Sequence, residues 1–153
     1  MALFLVQHGR SLPKDIDPDQ GLSPEGMEEV EKIAQAAKGY GVKVTRIIHS
    51  GKKRALQTAD IFASYLEPES GVLEKGGLKP MDDVSDWADR VKTDDNLMLV
   101  GHLPFMEKLT SLLIAGYTDT TVFKFQNGGI VCLDAVPDSE SWFIKWALVP
   151  NIS

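Results

Sequence analysis

The chain has 153 residues, a formal net charge of −6 and 43% hydrophobic content, which is one domain's worth of sequence with enough apolar material for a single core, residues 1–153. Its acidity argues against the broad basic footprint of nucleic-acid binding, and since no positive run exceeds Lys52-Lys53-Arg54, an anionic ligand would have to sit in a local pocket. No apolar stretch reaches the roughly 18 to 20 residues that cross a bilayer, and the N-terminal run is short and has no basic leader, so a cytoplasmic protein without a membrane partner is expected.

In chain order, Ala2 to Val6 form an apolar run that breaks off at Gln7-His8-Gly9-Arg10 and reads as a strand entering a polar loop. LSPEGMEEVEKIAQAAKGYG then carries a cap at Ser23, proline at the first helical position and Glu25 in the first turn, with Met27, Val30, Ile33, Ala34 and Ala37 as its apolar face. After Gly39 and Gly41, VTRIIHS reads as a second strand and ALQTADIFASYL as a second helix that turns Leu56, Ala59, Ile61, Phe62 and Leu66 inward. Ser50-Gly51-Lys52-Lys53-Arg54 lies between them. A weaker helix spans 84–92 with Val84, Trp87 and Val91 buried, NLMLVGHLP supplies a third strand, and a helix over 105–115 follows. TVFKF, GGIVCLDAV and SWFIKWALV read as further strands that include an antiparallel edge, with Trp142, Phe143 and Trp146 as core and rim aromatics. The single cysteine, Cys132, sits in an apolar strand and reads as a buried structural thiol.

Alternation of short apolar runs with helical patterns indicates an α/β fold. Three strands each run into a loop bearing a polar group: His8 after the first, Arg54 after the second, His102 after the third. Singly, each fits a hydrogen-bonded rim residue or a solvated helix start. Jointly they fit one crevice, because carboxyl ends of strands in open α/β sheets converge. Two histidines and an arginine there suit phosphoryl transfer, since a neutral imidazole attacks phosphorus while cations stabilise the equatorial oxygens, with no metal or other cofactor required.

QHG at 7–9, SGKKRALQTA at 50–59 and GHLP at 101–104 resemble, in order and spacing, the three signatures of the histidine phosphatase superfamily, and the small size resembles its phosphohistidine phosphatase branch, the SixA-like proteins. The resemblance covers essentially the whole chain. It implies a single three-layer α/β/α domain of the phosphoglycerate mutase-like type, with a mostly parallel sheet and an antiparallel edge. It implies His8 as nucleophile, Arg54 as phosphate clamp and His102 as the histidine that stabilises the transferring group and is better protonated. Leu103 would add a backbone N–H donor. The reaction it implies is ping-pong: His8 takes the phosphoryl group, and water then releases phosphate. The partner would be a protein bearing phosphohistidine, or a small phosphorylated substrate.

Two departures bear on that expectation. Gln7 and Gln20 stand where the family carries arginines, and an amide cannot form arginine's charged bidentate fork. Arg10 can compensate or face solvent, with Gln7 keeping a neutral contact to substrate, and Lys52 or Lys53 can reach in from the second loop. Asp82 and Asp83 are candidate proton donors by position only, and a helix cap or a solvated pair fits them better. His49, where the family has an apolar strand residue, reaches the crevice rim or packs at the strand end. The alternative to a working phosphatase is a degenerate one that binds phosphorylated ligands without useful turnover.

Overall fold

In the computed structural model, which describes residues 2–92 and 95–152, the chain forms a six-stranded sheet in the order β3-β2-β4-β1-β5-β6. The strands are β1 (Ala2–Gln7), β2 (Arg46–His49), β3 (Val72–Glu74), β4 (Leu97–Gly101), β5 (Ile130–Ala135) and β6 (Trp142–Leu148). The helices are α1 (Pro24–Gly39), α2 (Lys53–Leu66), α3 (Ser85–Arg90) and α4 (Phe105–Ala115). β1 to β4 run parallel, whereas β5 pairs antiparallel with β1 and β6 antiparallel with β5. The architecture is the mostly parallel α/β sheet with an antiparallel edge that the sequence implied.

Burial on both faces explains why β1 reads as an unbroken apolar run. Leu3 and Leu5 enter the core under α3 and α4, while Phe4 and Val6 enter the core under α1 and α2. β4 divides in the same way, Leu97 and Leu99 to one side and Met98 and Val100 to the other. Covering layers on both faces make the three-layer domain.

Several expectations are corrected. TVFKF forms no strand: β1 already pairs with β4 and β5, so the segment finds no ladder there, and it instead buries Phe125 with Phe123 edge-on against it at 5.2 Å. β3 was missed because three residues carry no period. Met27 and Leu56 are exposed rather than inward. In α1 the stripe begins at Gly26, one residue earlier, and in α2 it runs through Ala55, Thr58, Ala59 and Phe62, leaving Ile61 and Leu66 half-buried. Trp142 is buried, Trp146 packs on Phe4, and Phe143 faces out.

Strand order reverses beside β1. The chain passes from β1 over β4 to β2 and β3, then returns to place β4 between β2 and β1. Such a switch point leaves a crevice at the carboxyl ends of the strands. His8, the Ser50–Arg54 loop and His102 all follow those ends.

Candidate active site

His8 is anchored from both sides as it leaves β1. Its N–H donates to Gly101 O at 3.0 Å and its carbonyl accepts from Asn127 Nδ2 at 3.0 Å. Its Nδ1 lies 2.7 Å from Gly9 O. A carbonyl oxygen only accepts, so Nδ1 carries the hydrogen and the Nε2 lone pair is left free. Glycine at position 9 follows from packing: a Cβ there would meet Val30 Cγ2 at 2.8 Å. Its amide donates to Thr58 Oγ1, which itself donates to Arg54 O in α2.

His102 leaves β4 next to β1, and the two imidazole rings lie 5.0 Å apart at 51°. It is 2% exposed; its Nε2 meets Ser50 Oγ at 2.6 Å, while its Nδ1 is buried without a partner. Arg54 sits in the first turn of α2, half-buried, and no carboxylate pairs with it among the described residues. Burial lowers its pKa, but an arginine starting so high stays charged.

Electrostatics follow from that crowding. Burial, opposed by the Gly9 hydrogen bond and aided by Arg54, pushes His8 down to about 4. Burial and the positive fields of His8, Arg54 and Lys52 push His102 down to about 3. Both rings are therefore neutral near pH 7 in the ligand-free protein. For His102 this differs from the protonated state the resemblance implied, because burial and the neighbouring positive groups both disfavour the charged ring.

The neighbouring groups sort clearly. Gln7 is 9% exposed, and its Oε1 is buried with no partner. Arg10 turns away onto α1, its Nε donating to Glu29 Oε1 at 2.8 Å with the side chain 54% exposed. Lys53 pairs with Asp17 at 2.9 Å. Lys52, whose charge acts on His102, remains with Arg54 beside the histidines. Gln20, with φ of 50°, places its amide nitrogen 3.5 Å from Leu12 O. Asp82 and Asp83 accept from the Lys79 and Ser85 amides, so both are turn residues just ahead of α3. Leu103 is half-buried and enters α4 through a cis bond to Pro104. Burial pushes the Cys132 thiol up to about 11, as a structural thiol should be.

Reading the residues did not assign Ser50, Thr58 or Asn127. Ser50 and Thr58 lie inside the second motif, so their presence there was the available signal; Asn127, 119 residues from His8, had none. A groove of about 770 Å³ lined by Phe4, Val42, Lys43, Cys132 and Trp146 contains none of the three site residues.

Mouse mitochondrial serine/threonine-protein phosphatase PGAM5 is 31% identical over 91 residues, covering 56% of this chain and 32% of its own length. The chain thus spans about a third of that relative. The protein histidine phosphatase SixA complexed with tungstate superposes with a TM-score of 0.84 at 24% identity, covering 98% of this chain and 97% of its own. Alpha-ribazole phosphatase from Shigella flexneri gives 0.78 at 14% identity over 100% and 98%. These structures share the fold along the whole chain, and residues 3–82 match the family model of the histidine phosphatase superfamily (branch 1). With its signature histidines and arginine gathered at the sheet's switch point, this chain belongs to the histidine phosphatase superfamily.

Proposed function

We propose that the chain is a metal-independent phosphatase that works through a phosphohistidine on His8 and acts on phosphohistidine in proteins. The observation that carries this reading is the pair of neutral imidazoles 5.0 Å apart, one with a free Nε2 lone pair, beside a guanidinium with no carboxylate partner among the described residues.

His8 Nε2 attacks phosphorus, the bond to the leaving group breaks, and Arg54 neutralises charge on the equatorial oxygens. Ser50 Oγ accepts the Lys52 amide at 3.4 Å and meets His102 Nε2 at 2.6 Å, and the scheme assigns its hydroxyl hydrogen to that nitrogen. His102 Nδ1 then carries a hydrogen, and a phosphoryl oxygen would satisfy it. The incoming dianion also raises the pKa of His102, strengthening that bond in the complex. In the second half, water attacks phosphorus, the N–P bond breaks, phosphate leaves and His8 regains its lone pair.

The leaving group favours phosphohistidine over a phosphoester. An alkoxide needs a proton from the enzyme, yet Asp82 and Asp83 are held by local amides, and those bonds keep Asp83 below the usual carboxylate range and so ionised. An imidazole leaves more readily than an alkoxide and can take its proton from solvent once it departs. PGAM5, a serine/threonine-protein phosphatase, supports a protein-borne phosphoryl group, whereas the choice of phosphohistidine over a phosphoester rests on the leaving-group argument alone. Gln7 and Leu103 are assigned contacts to that group, and Arg10 is assigned to the loop's outer face, where it can meet the substrate protein.

Rapid-quench trapping with a labelled phosphodonor tests the reading. Label that is acid-labile, alkali-stable and absent from His8→Ala is expected. A neutral Gln7 whose Oε1 is buried without a partner, with Arg10 turned away, favours a second reading of phospho-ligand binding without turnover. No label and no phosphate release across several donors, with inorganic phosphate still bound, would establish that one instead.

A further inference from the structure

His49 is a buried histidine that the scheme above does not use. It ends β2 at 5% exposure, and its Nδ1 accepts the Gly51 amide at 3.1 Å. That bond exists only while Nδ1 is unprotonated. Gly51 opens the short loop that supports the site: Ser50 before it meets His102 Nε2 at 2.6 Å, and Lys52 after it caps α2, whose first turn carries Arg54. Gly51 has φ of 94°, and a Cβ there would meet the Glu74 carboxylate at 2.7 to 3.0 Å. Glu74 therefore packs directly over the loop. It also stands in register with His49 across the parallel ladder, where the Lys75 amide donates to His49 O at 3.1 Å.

We propose that His49 is a positioning residue for the phosphatase site: its neutral Nδ1 holds Gly51 and thereby Ser50 and the start of α2, and its protonation releases that loop. The inference rests on the phosphatase reading and adds a residue to it. Once Nδ1 gains a proton, two donors face each other, the Gly51 N–H loses its acceptor, and the imidazolium is drawn to the carboxylate lying over the loop. The groups acting on His49 are Glu74 from β3 and Asp60 from α2, both favouring the charged ring, while β4 presents uncharged Val100 in register. Burial outweighs the two carboxylates and keeps the ring neutral below its ordinary pH range. The contact is therefore made at neutral pH and lost on acidification.

Wild type, His49→Leu and His49→Asn are compared on p-nitrophenyl phosphate from pH 8 to 4, alongside amide NMR spectra recorded without substrate. His49→Leu is expected to lower kcat about tenfold with KM little changed, as for loss of one preorganised contact. His49→Asn places an acceptor that does not titrate near the Nδ1 position. It should restore kcat to within about threefold and keep it level until His8 protonates near 4, whereas wild type declines earlier on acidification, as His49 takes its proton. In wild type the Gly51 amide shift should follow the imidazole titration of His49, and in His49→Asn it should not move. A folded His49→Leu protein with wild-type kcat, an acid limb unchanged in His49→Asn, or a Gly51 amide blind to His49 would each overturn the proposal. Absence of turnover in all three proteins would overturn the phosphatase reading alone, and the Gly51 titration would still decide the contact.

Discussion

His8, the nucleophile of the proposed reaction, takes its tautomer and its position largely from backbone groups. One carbonyl, Gly9 O, fixes its tautomer, and a neighbouring strand fixes its amide. His102 depends on a side chain instead, so Ser50→Ala is expected to strand a buried ring nitrogen and lower kcat by roughly 10- to 100-fold, about 1–3 kcal/mol. Steady-state kinetics of the folded variant checks this, and an unchanged kcat would show that packing alone holds the ring. Gln7→Arg adds a charged fork beside the nucleophile and should raise kcat/KM for p-nitrophenyl phosphate about tenfold or more. No gain would mean that Lys52 already supplies the missing charge.

At the scale of elements, α1 and α2 act as struts for the two loops. Gly26 is the point of contact for α1: a Cβ there would sit 2.1 Å from Arg10 O, and that same oxygen accepts from Ser23, the helix cap. Backbone cannot yield as a side-chain tip can. Gly26→Ala should therefore cost about 3 kcal/mol and lower Tm by roughly 6–12 °C. Gly39→Ala, with nothing within 4 Å, should change stability by less than about 1 kcal/mol. Thermal unfolding of the pair checks the contrast, and equal values would refute the close-packing argument. α2 contributes through its ends and its face: Arg54 enters the crevice from the first turn, and Thr58 one turn on holds the Gly9 amide.

For the whole molecule, burial depresses all three histidines, His8, His49 and His102, and so makes stability depend on pH with a definite sign. Each binds its proton less readily folded than unfolded, so their contribution is fully present above the ordinary value of 6.5 and is lost as pH falls toward about 4 for His8 and about 3 for His102. Allowing for solvent screening of His8, the loss between pH 7 and 4.5 is on the order of 3 kcal/mol. Urea unfolding at the two pH values measures it, and His8→Ala should lose less over the same interval. A saturating phosphate analogue should stabilise the fold, since it binds only where strand ends, loop and helix start are assembled.

The sequence by itself determined the class of fold, the order of its major elements and the three residues to watch, because long periodic helices and doubly buried strands write their period into the chain. His8, Arg54 and His102 were legible because each follows a strong strand or begins a strong helix. Tertiary structure decided what depends on which strands become neighbours. It left TVFKF without a ladder because β1 was already paired on both edges, and it formed three-residue β3 beside β2. It turned Arg10 onto Glu29, spent Asp82 and Asp83 on local amides, and brought Asn127 to the carbonyl of His8. Above all it set the protonation of the site, since desolvation comes from burial by many distant residues and has no local pattern for a sequence to display.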